Sequence, residues 1–298
     1  MTTTATGAAP EHLVAVEVRH WGRYVSGVIV LALLVLLVNG FATSDIKWAV
    51  TRRYFTFDTV VTGAWHTLLI SVLAQAMGIV LGVIAAVMRQ ARNPVTSSAA
   101  WAYIWFFRGT PVLLQLLIWY NLALVFPTLS LPGLGSAKTS DVMTPFLAAL
   151  LGLGINEGAY MAEIVRAGLA AVDEGQTEAA QALGMSRGLL LRRIVLPQAM
   201  RVIIPPTGNE FINMLKTSSL AYTIQYPELL LAAVSISSTN LLIVELYFTA
   251  ATWYLLLTSV FSVFQFYLER RFSRGASRNV TLTPMQKIRL NLRGGLRR

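Results

Sequence analysis

"EAAQALGMSRGLLLRRIVLP", residues 178–197, is a charged, Ala-rich stretch set between two of the most apolar parts of the chain. With the residues just before it, "EGQTEAAQALG" is rich in strong helix formers and ends at Gly184, a residue suited to a helix C-cap. That predicts a helix of about two to three turns. Further on, "GLLLRRIVLP" is amphipathic, and Pro197 is expected to break it. Such an insertion either links two membrane spans along the surface or presents a small-residue helix to a groove on a partner. Composition alone favours the plain linker, so the decision rests on the rest of the chain.

The chain has 298 residues, 55% of them hydrophobic and 13% charged, which describes a polypeptide that dissolves in lipid rather than a soluble domain. There is no cysteine, which excludes disulfides and thiolate metal sites. His12, His20 and His66 are scattered and form no metal-ligand cluster. A net charge of +10 would suit nucleic acid if it formed a patch on a soluble fold. Instead Arg270, Arg271, Arg274, Arg278, Lys287, Arg289, Arg293, Arg297 and Arg298 gather in a tail directly after an apolar segment. That placement points to anionic lipid and a topology signal, not to nucleic acid.

A helix crossing the hydrocarbon needs about 20 mostly apolar residues. Six segments qualify: one between Arg23 and Asp45, one from Asp58 to Met88, and others near 99–126, 145–169, 205–224 and 241–268. Several carry charges, namely Arg108 in the third, Glu157, Glu163 and Arg166 in the fourth, and Glu210 and Lys216 in the fifth. Small residues at Ala42 and Ser44 could mark a signal cleavage site after the first segment. Its apolar run is too long for a signal and follows a long polar stretch, so a retained span is expected. Arg19 and Arg23, Arg89 and Arg92, the Arg187–Arg201 group and the basic tail all fall on one face if both termini are cytoplasmic. The conflict is the 43–58 segment, with Lys47, Arg52 and Arg53 on the opposite face. On this count the opening stretch is cytoplasmic.

Polar residues inside spans must turn away from lipid. Asn156, Tyr160 and Glu163 share one helix face, and Asn209, Asn213 and Lys216 repeat the spacing on the next span. Arg108 and Gln115 flank Pro111, and a helix broken there would free backbone groups of the kind transporters use. Gly78/Gly82 and Gly154/Gly158 are GxxxG pairs, read as close helix packing. Trp48, Trp101, Tyr222 and Tyr247 suit an interfacial belt. "GLGSAKTS", 133–140, has Ala137 where a phosphate loop needs glycine, and "GLGINEG", 152–158, lacks dinucleotide spacing. The chain therefore carries no nucleotide motif of its own.

The opening stretch resembles the EAA loop of ABC-importer permeases: Glu178-Ala179-Ala180, three residues, Gly184, nine residues, Ile194, one residue, Leu196-Pro197. "FFRGTPVLLQ" (106–115), "NEGAYMAEIVRAG" (156–168) and "LPQAMRVIIPPTGNEFINMLKTSSL" (196–220) resemble the polar amino-acid uptake subfamily, which includes histidine, glutamine and arginine permeases. The resemblance spans about 59–271. It implies an all-α polytopic membrane protein of the prokaryotic cytoplasmic membrane, with a five-span ABC type I permease core. Segment 23–44 is then an additional span, 1–22 a cytoplasmic lead-in and 272–298 a cytoplasmic tail. It also implies partners: cytoplasmic ABC ATPase subunits, an extracytoplasmic solute-binding protein, and a second permease copy or paralogue. The chain needs no cofactor and is no enzyme, since ATP is used by the partner. The loop around 171–200 would be a coupling helix, with Glu178, Ala179, Ala180, Gly184, Ile194, Leu196 and Pro197 its contacts.

The cargo implied is a polar amino acid moved by alternating access. Gln115, Asn156, Glu163, Asn209, Asn213 and Lys216 are the candidate ligands, with Glu163 suited to an ammonium and Lys216 to a carboxylate. Internal pairing of Glu163 with Arg166 or Lys216 is the alternative, because buried charges are commonly paired. An ion-coupled secondary transporter is the competing class. It predicts an inverted internal repeat, which the sequence does not show, and leaves the EAA loop unexplained. A membrane enzyme would need a metal cluster or a nucleophile–base pair, and the sequence offers neither.

Overall fold

A computed structural model describes residues 21–131 and 135–272. Residues 1–20 of the expected lead-in 1–22 and residues 273–298 of the expected basic tail 272–298, with its expected lipid contact, lie outside the described residues. The chain forms two units, 1–47 and 48–298. The first contributes α1 (Trp21–Ala42), whose stretch Tyr24–Ala42 has a mean hydropathy of 2.5 and no buried residue. A helix that is apolar all round suits a single span in lipid.

The second unit begins with α2 (Trp48–Phe55), a short helix in the segment expected as a loop, and continues into α3 (Asp58–Arg89). The third expected span, 99–126, is not one rod. It is α4 (Pro94–Gly109) and α5 (Val112–Tyr120), bent by 103°. Pro111 offers no N–H, and Thr110 before it is extended at φ −111° and ψ 144°. A two-stranded antiparallel hairpin, β1 (Thr128–Leu131) and β2 (Gly135–Lys138), follows, so the expected all-α chain carries this small addition. Next come α6 (Thr139–Val142), α7 (Pro145–Ala170) and α8 (Glu174–Ala182).

Pro197 does not break its helix. Helical backbone runs through α9 (Arg187–Leu190), a π-helical stretch Leu191–Val195 and α10 (Leu196–Thr217). The wider turn before Pro197 accommodates a residue that cannot donate to the carbonyl four positions back. The fifth expected span therefore starts nine residues before Pro205, and Pro205 and Pro206 lie inside α10. A 3₁₀ segment, Ser218–Ile224, leads to α11 (Leu229–Asn240), a helix in the interval between the expected spans 205–224 and 241–268, and then α12 (Ile243–Phe272). Among the described residues α1, α3 and α12 are long and apolar enough to cross a membrane, with α4 plus α5 a fourth if taken together. The 26-residue α7 and 22-residue α10 have the length, but their inward polar residues lower their hydropathy.

Helices α3 and α7 make the most extensive helix–helix contact. Gly78 lies against Glu157, Gly82 against Met161, Gly154 against Met77 and Gly158 against Leu81. Residue numbers rise together along both helices, so they run parallel, and the chain must return between them through α4 and α5. At the opposite end Glu228, fully buried, accepts from Leu230 N and Leu231 N, each at 2.8 Å, and from the Tyr254 hydroxyl at 2.5 Å. Thr67 of α3 accepts from Leu229 N at 3.1 Å, so one cap ties α11 to α3 and α12.

A Cβ on Gly82 would stand 2.9 Å from the backbone nitrogen of Ala162, which no side-chain rotation relieves. Gly82→Val should therefore destabilise the bundle by about 1–3 kcal/mol or more. A thermal melt of the purified protein in detergent checks this, and an unchanged midpoint would contradict the packing argument.

Candidate functional site

A cleft of about 530 Å³ opens between the start of α5, α7 and α10. Its polar lining is Asn156, Glu157 and Tyr160 from α7 and Glu210, Asn213, Lys216 and Thr217 from α10. Two acidic side chains thus face one basic one. Glu157 is 5% exposed and accepts from Gln75 Nε2 of α3 at 3.2 Å, which holds the carboxyl at the back of the cleft. Glu210, Asn213 and Thr217 lie at i, i+3 and i+7, one face of α10.

Of the six residues expected to hold cargo, Asn156, Asn213 and Lys216 share this cleft. Asn209 does not. It sits roughly a quarter turn off the Glu210–Thr217 stripe, and its amide donates to Glu269 Oε1 of α12 at 3.3 Å. Lys216 is equally off-centre and enters the lining on the length of its side chain. Glu163 lies in a separate cleft, paired with Arg166 at 2.6 Å. Gln115 is buried, and its Nε2 donates to Phe107 O (3.0 Å), Thr110 O (3.1 Å) and Thr110 Oγ1 (2.8 Å). It fastens the break between α4 and α5. Asn156 Nδ2 reaches the same Phe107 carbonyl at 2.7 Å, so a cleft residue also holds the break. Glu157 and Glu210 went unassigned in the sequence reading, although a carboxyl inside an apolar span was the signal for both.

The EAA stretch forms an outward-facing platform. Asp173 caps α8 by accepting from Gly175 N at 2.7 Å. At the other end Gly184 has φ +75°, Gly184 N donates to Gln181 O (2.9 Å) and Met185 N to Ala180 O (3.1 Å). This paired closure is the Schellman arrangement, and it requires the left-handed conformation glycine adopts without strain. Glu178, Ala179, Gly184, Leu196 and Pro197 are exposed, Ile194 is half-buried, and Ala180 is buried against the protein. Leu183, absent from the expected set, is 83% exposed at the turn.

A polar cleft inside an apolar helical unit, with a capped small-residue helix outside it, is the arrangement of a membrane-transport subunit. Residues 78–274 match the family described as binding-protein-dependent transport system inner membrane component, and the chain belongs to that family. It is 44% identical over 286 residues to the arginine transport system permease protein ArgU of Corynebacterium glutamicum, covering 95% of this chain and 90% of that one. Against the probable glutamine ABC transporter permease protein GlnM of Bacillus subtilis the identity is 35%, over 76% of this chain and 98% of that one. A crystal structure of an amino acid ABC transporter with histidines matches at 35% identity with a TM-score of 0.66, over 76% of this chain and all of that one. The family is a membrane component of transport systems.

Because Gln115 and Asn156 share the Phe107 carbonyl, their substitutions should couple. Gln115→Ala and Asn156→Ala are each expected to cost about 1 kcal/mol, and the double variant more than the sum. Denaturation of the three variants gives the coupling, and strict additivity would separate the two residues.

Proposed function

We propose that this chain is the permease of an ATP-driven importer of cationic amino acids and that the cleft between α7 and α10 is its cargo site. The observation that carries the reading is the charge inventory of the cleft: Glu157 and Glu210 against Lys216. A zwitterion with a basic side chain brings two cations and one carboxylate, the complement of that set. Asn156 and Asn213 supply neutral hydrogen bonds for orientation. The kinship with an arginine permease agrees with this class. In this reading Gln115 shapes the helix break, and Glu163 and Asn209 pair internally.

The chain works, in this proposal, as one of two permease halves, with a second copy or a paralogue, a solute-binding protein outside and ATPase subunits inside. Both termini and α8 face the cytoplasm, following the Lys/Arg distribution. α8 seats on an ATPase subunit, and α10, continuous with the loop after it, transmits that subunit's closure to the cargo cleft. A rigid lever of this kind suits a two-state rearrangement of packed helices. ATP serves as cofactor to the partner alone.

In proteoliposomes carrying the complex, basic amino acids should stimulate ATP hydrolysis more than neutral or acidic ones. Glu157→Gln should weaken that stimulation about tenfold, the loss of one charge-assisted contact. A neutral or acidic amino acid stimulating best would sink the cargo assignment. Separately, Glu178→Lys and Gly184→Asp should leave the protein inserted yet release the ATPase subunit or abolish uptake. Full uptake with the ATPase retained would rule out docking through α8.

A further inference from the structure

A second cleft, of about 670 Å³, lies between α4, α7 and the C-terminal end of α3. Its charged lining is Arg89, Arg108, Arg166 and Glu163, a formal surplus of two positive charges. Only Arg166 has a carboxylate partner among these, Glu163 at 2.6 Å. Arg89 Nη1 donates to the Ser97 hydroxyl at 2.9 Å, and the Arg108 guanidinium lies 5.2 Å from the centre of the Tyr160 ring. Both are neutral partners, which leave the surplus charge and most guanidinium donors for something else.

Arg89 and Arg166 lie near one membrane surface, and Arg108, about 20 Å along α4 from its start, reaches the same cleft from deeper in the bundle. α3 ends at Arg89, a four-residue turn leads into α4, and α7 ends four residues after Arg166. Helical side chains lean toward the N-terminus of their own helix, so Arg108 on α4 leans back toward the surface that α4 entered from. Beside the cleft Trp101 and Trp105 stack with ring centres 5.9 Å apart and planes at 8°. They are 52% and 64% exposed. Basic groups within a helix cleft, with exposed indoles beside them, are the composition of a lipid-headgroup site. The cleft repels a cationic cargo, and it stands apart from the exposed face of α8.

We propose that this cleft binds the phosphate of an anionic phospholipid from the leaflet at which α3 and α7 end. Planar guanidiniums recognise phosphate oxygens through paired hydrogen bonds, and the two indoles lie against the first part of the acyl chains. Of its lining residues only Tyr160 also lines the proposed cargo cleft.

Native mass spectrometry of the full-length chain in detergent tests it, with phosphatidylglycerol and phosphatidylcholine of identical acyl chains as probes. Saturable retention of one phosphatidylglycerol is expected, with phosphatidylcholine at least tenfold weaker. The pair Arg89→Gln/Arg108→Gln should weaken phosphatidylglycerol retention at least tenfold. Arg52→Gln/Arg53→Gln, which removes the same charge from the exposed face of α2, should leave it unchanged. If the first pair fails to fold, Arg89→Lys/Arg108→Lys carries the test: retention should fall severalfold while the headgroup preference persists. Equal retention of both lipids, equal loss in the α2 pair, or unchanged retention in the lysine pair would each overturn the proposal. Displacement of the lipid by millimolar inorganic phosphate would assign the site to a soluble anion and overturn the lipid source.

Discussion

The close approach of α3 and α7 is the constraint on which the rest depends. Lipid offers helices no hydrophobic drive to associate, because the hydrocarbon around them is as apolar as their side chains. Association then rests on contact density, and the backbones must come near enough for main-chain atoms to touch. Gly78, Gly82, Gly154 and Gly158 permit that, each receiving a side chain of the other helix. Because the two helices run parallel, everything between them has to recross the bilayer. That requirement accounts for a return path through α4 and α5 between them.

The bend has a chemical consequence. A continuous helix would satisfy the Phe107 and Thr110 carbonyls internally. Pro111 frees them, and Gln115 and Asn156 take them up from inside the protein. The break is thus fastened to α7 by a residue that also lines the cleft, and a ligand that competes for Asn156 acts on the bend directly. On the far wall, α10 carries both ends of the proposed mechanism, since helical backbone continues from Arg187 in the EAA loop to Thr217 at the cleft. Pro197 sits where a straight α-helix would be strained, and the π-helical stretch before it keeps the path unbroken. A lever with a break at Pro197 would dissipate motion there.

The sites proposed for cargo and lipid differ in their charge. The cleft of α7 and α10 has an acidic excess, the cleft of α4 and α7 a basic one, and Tyr160 lines both. The two charge sets are separated by an aromatic ring over which Arg108 lies. α8 exposes small residues together with the carboxylates of Glu174 and Glu178.

The sequence by itself determined what depends on local chemistry and on transfer free energy. Runs of apolar residues determined the membrane class and α1, α3 and α12, because twenty residues of low polarity suffice whatever they pack against. The Gly184 C-cap and the helix before it were legible because a left-handed turn selects its own residue. The motif spacing around Glu178 carried the family. Tertiary structure alone decided what depends on which neighbour a side chain meets. Asn209 and Asn213 are one helical turn apart, yet the first faces Glu269 and the second the cleft, since the packing angle of α10 sets where the boundary falls. Gln115 reads as a ligand and acts as a clasp, because the carbonyls it serves exist only once α4 has bent. Glu163 could pair or bind from spacing alone, and it pairs because Arg166 stands one turn away within reach. Periodicity gives a residue its face, but the docking of helices decides whether that face meets lipid, protein or an open cleft.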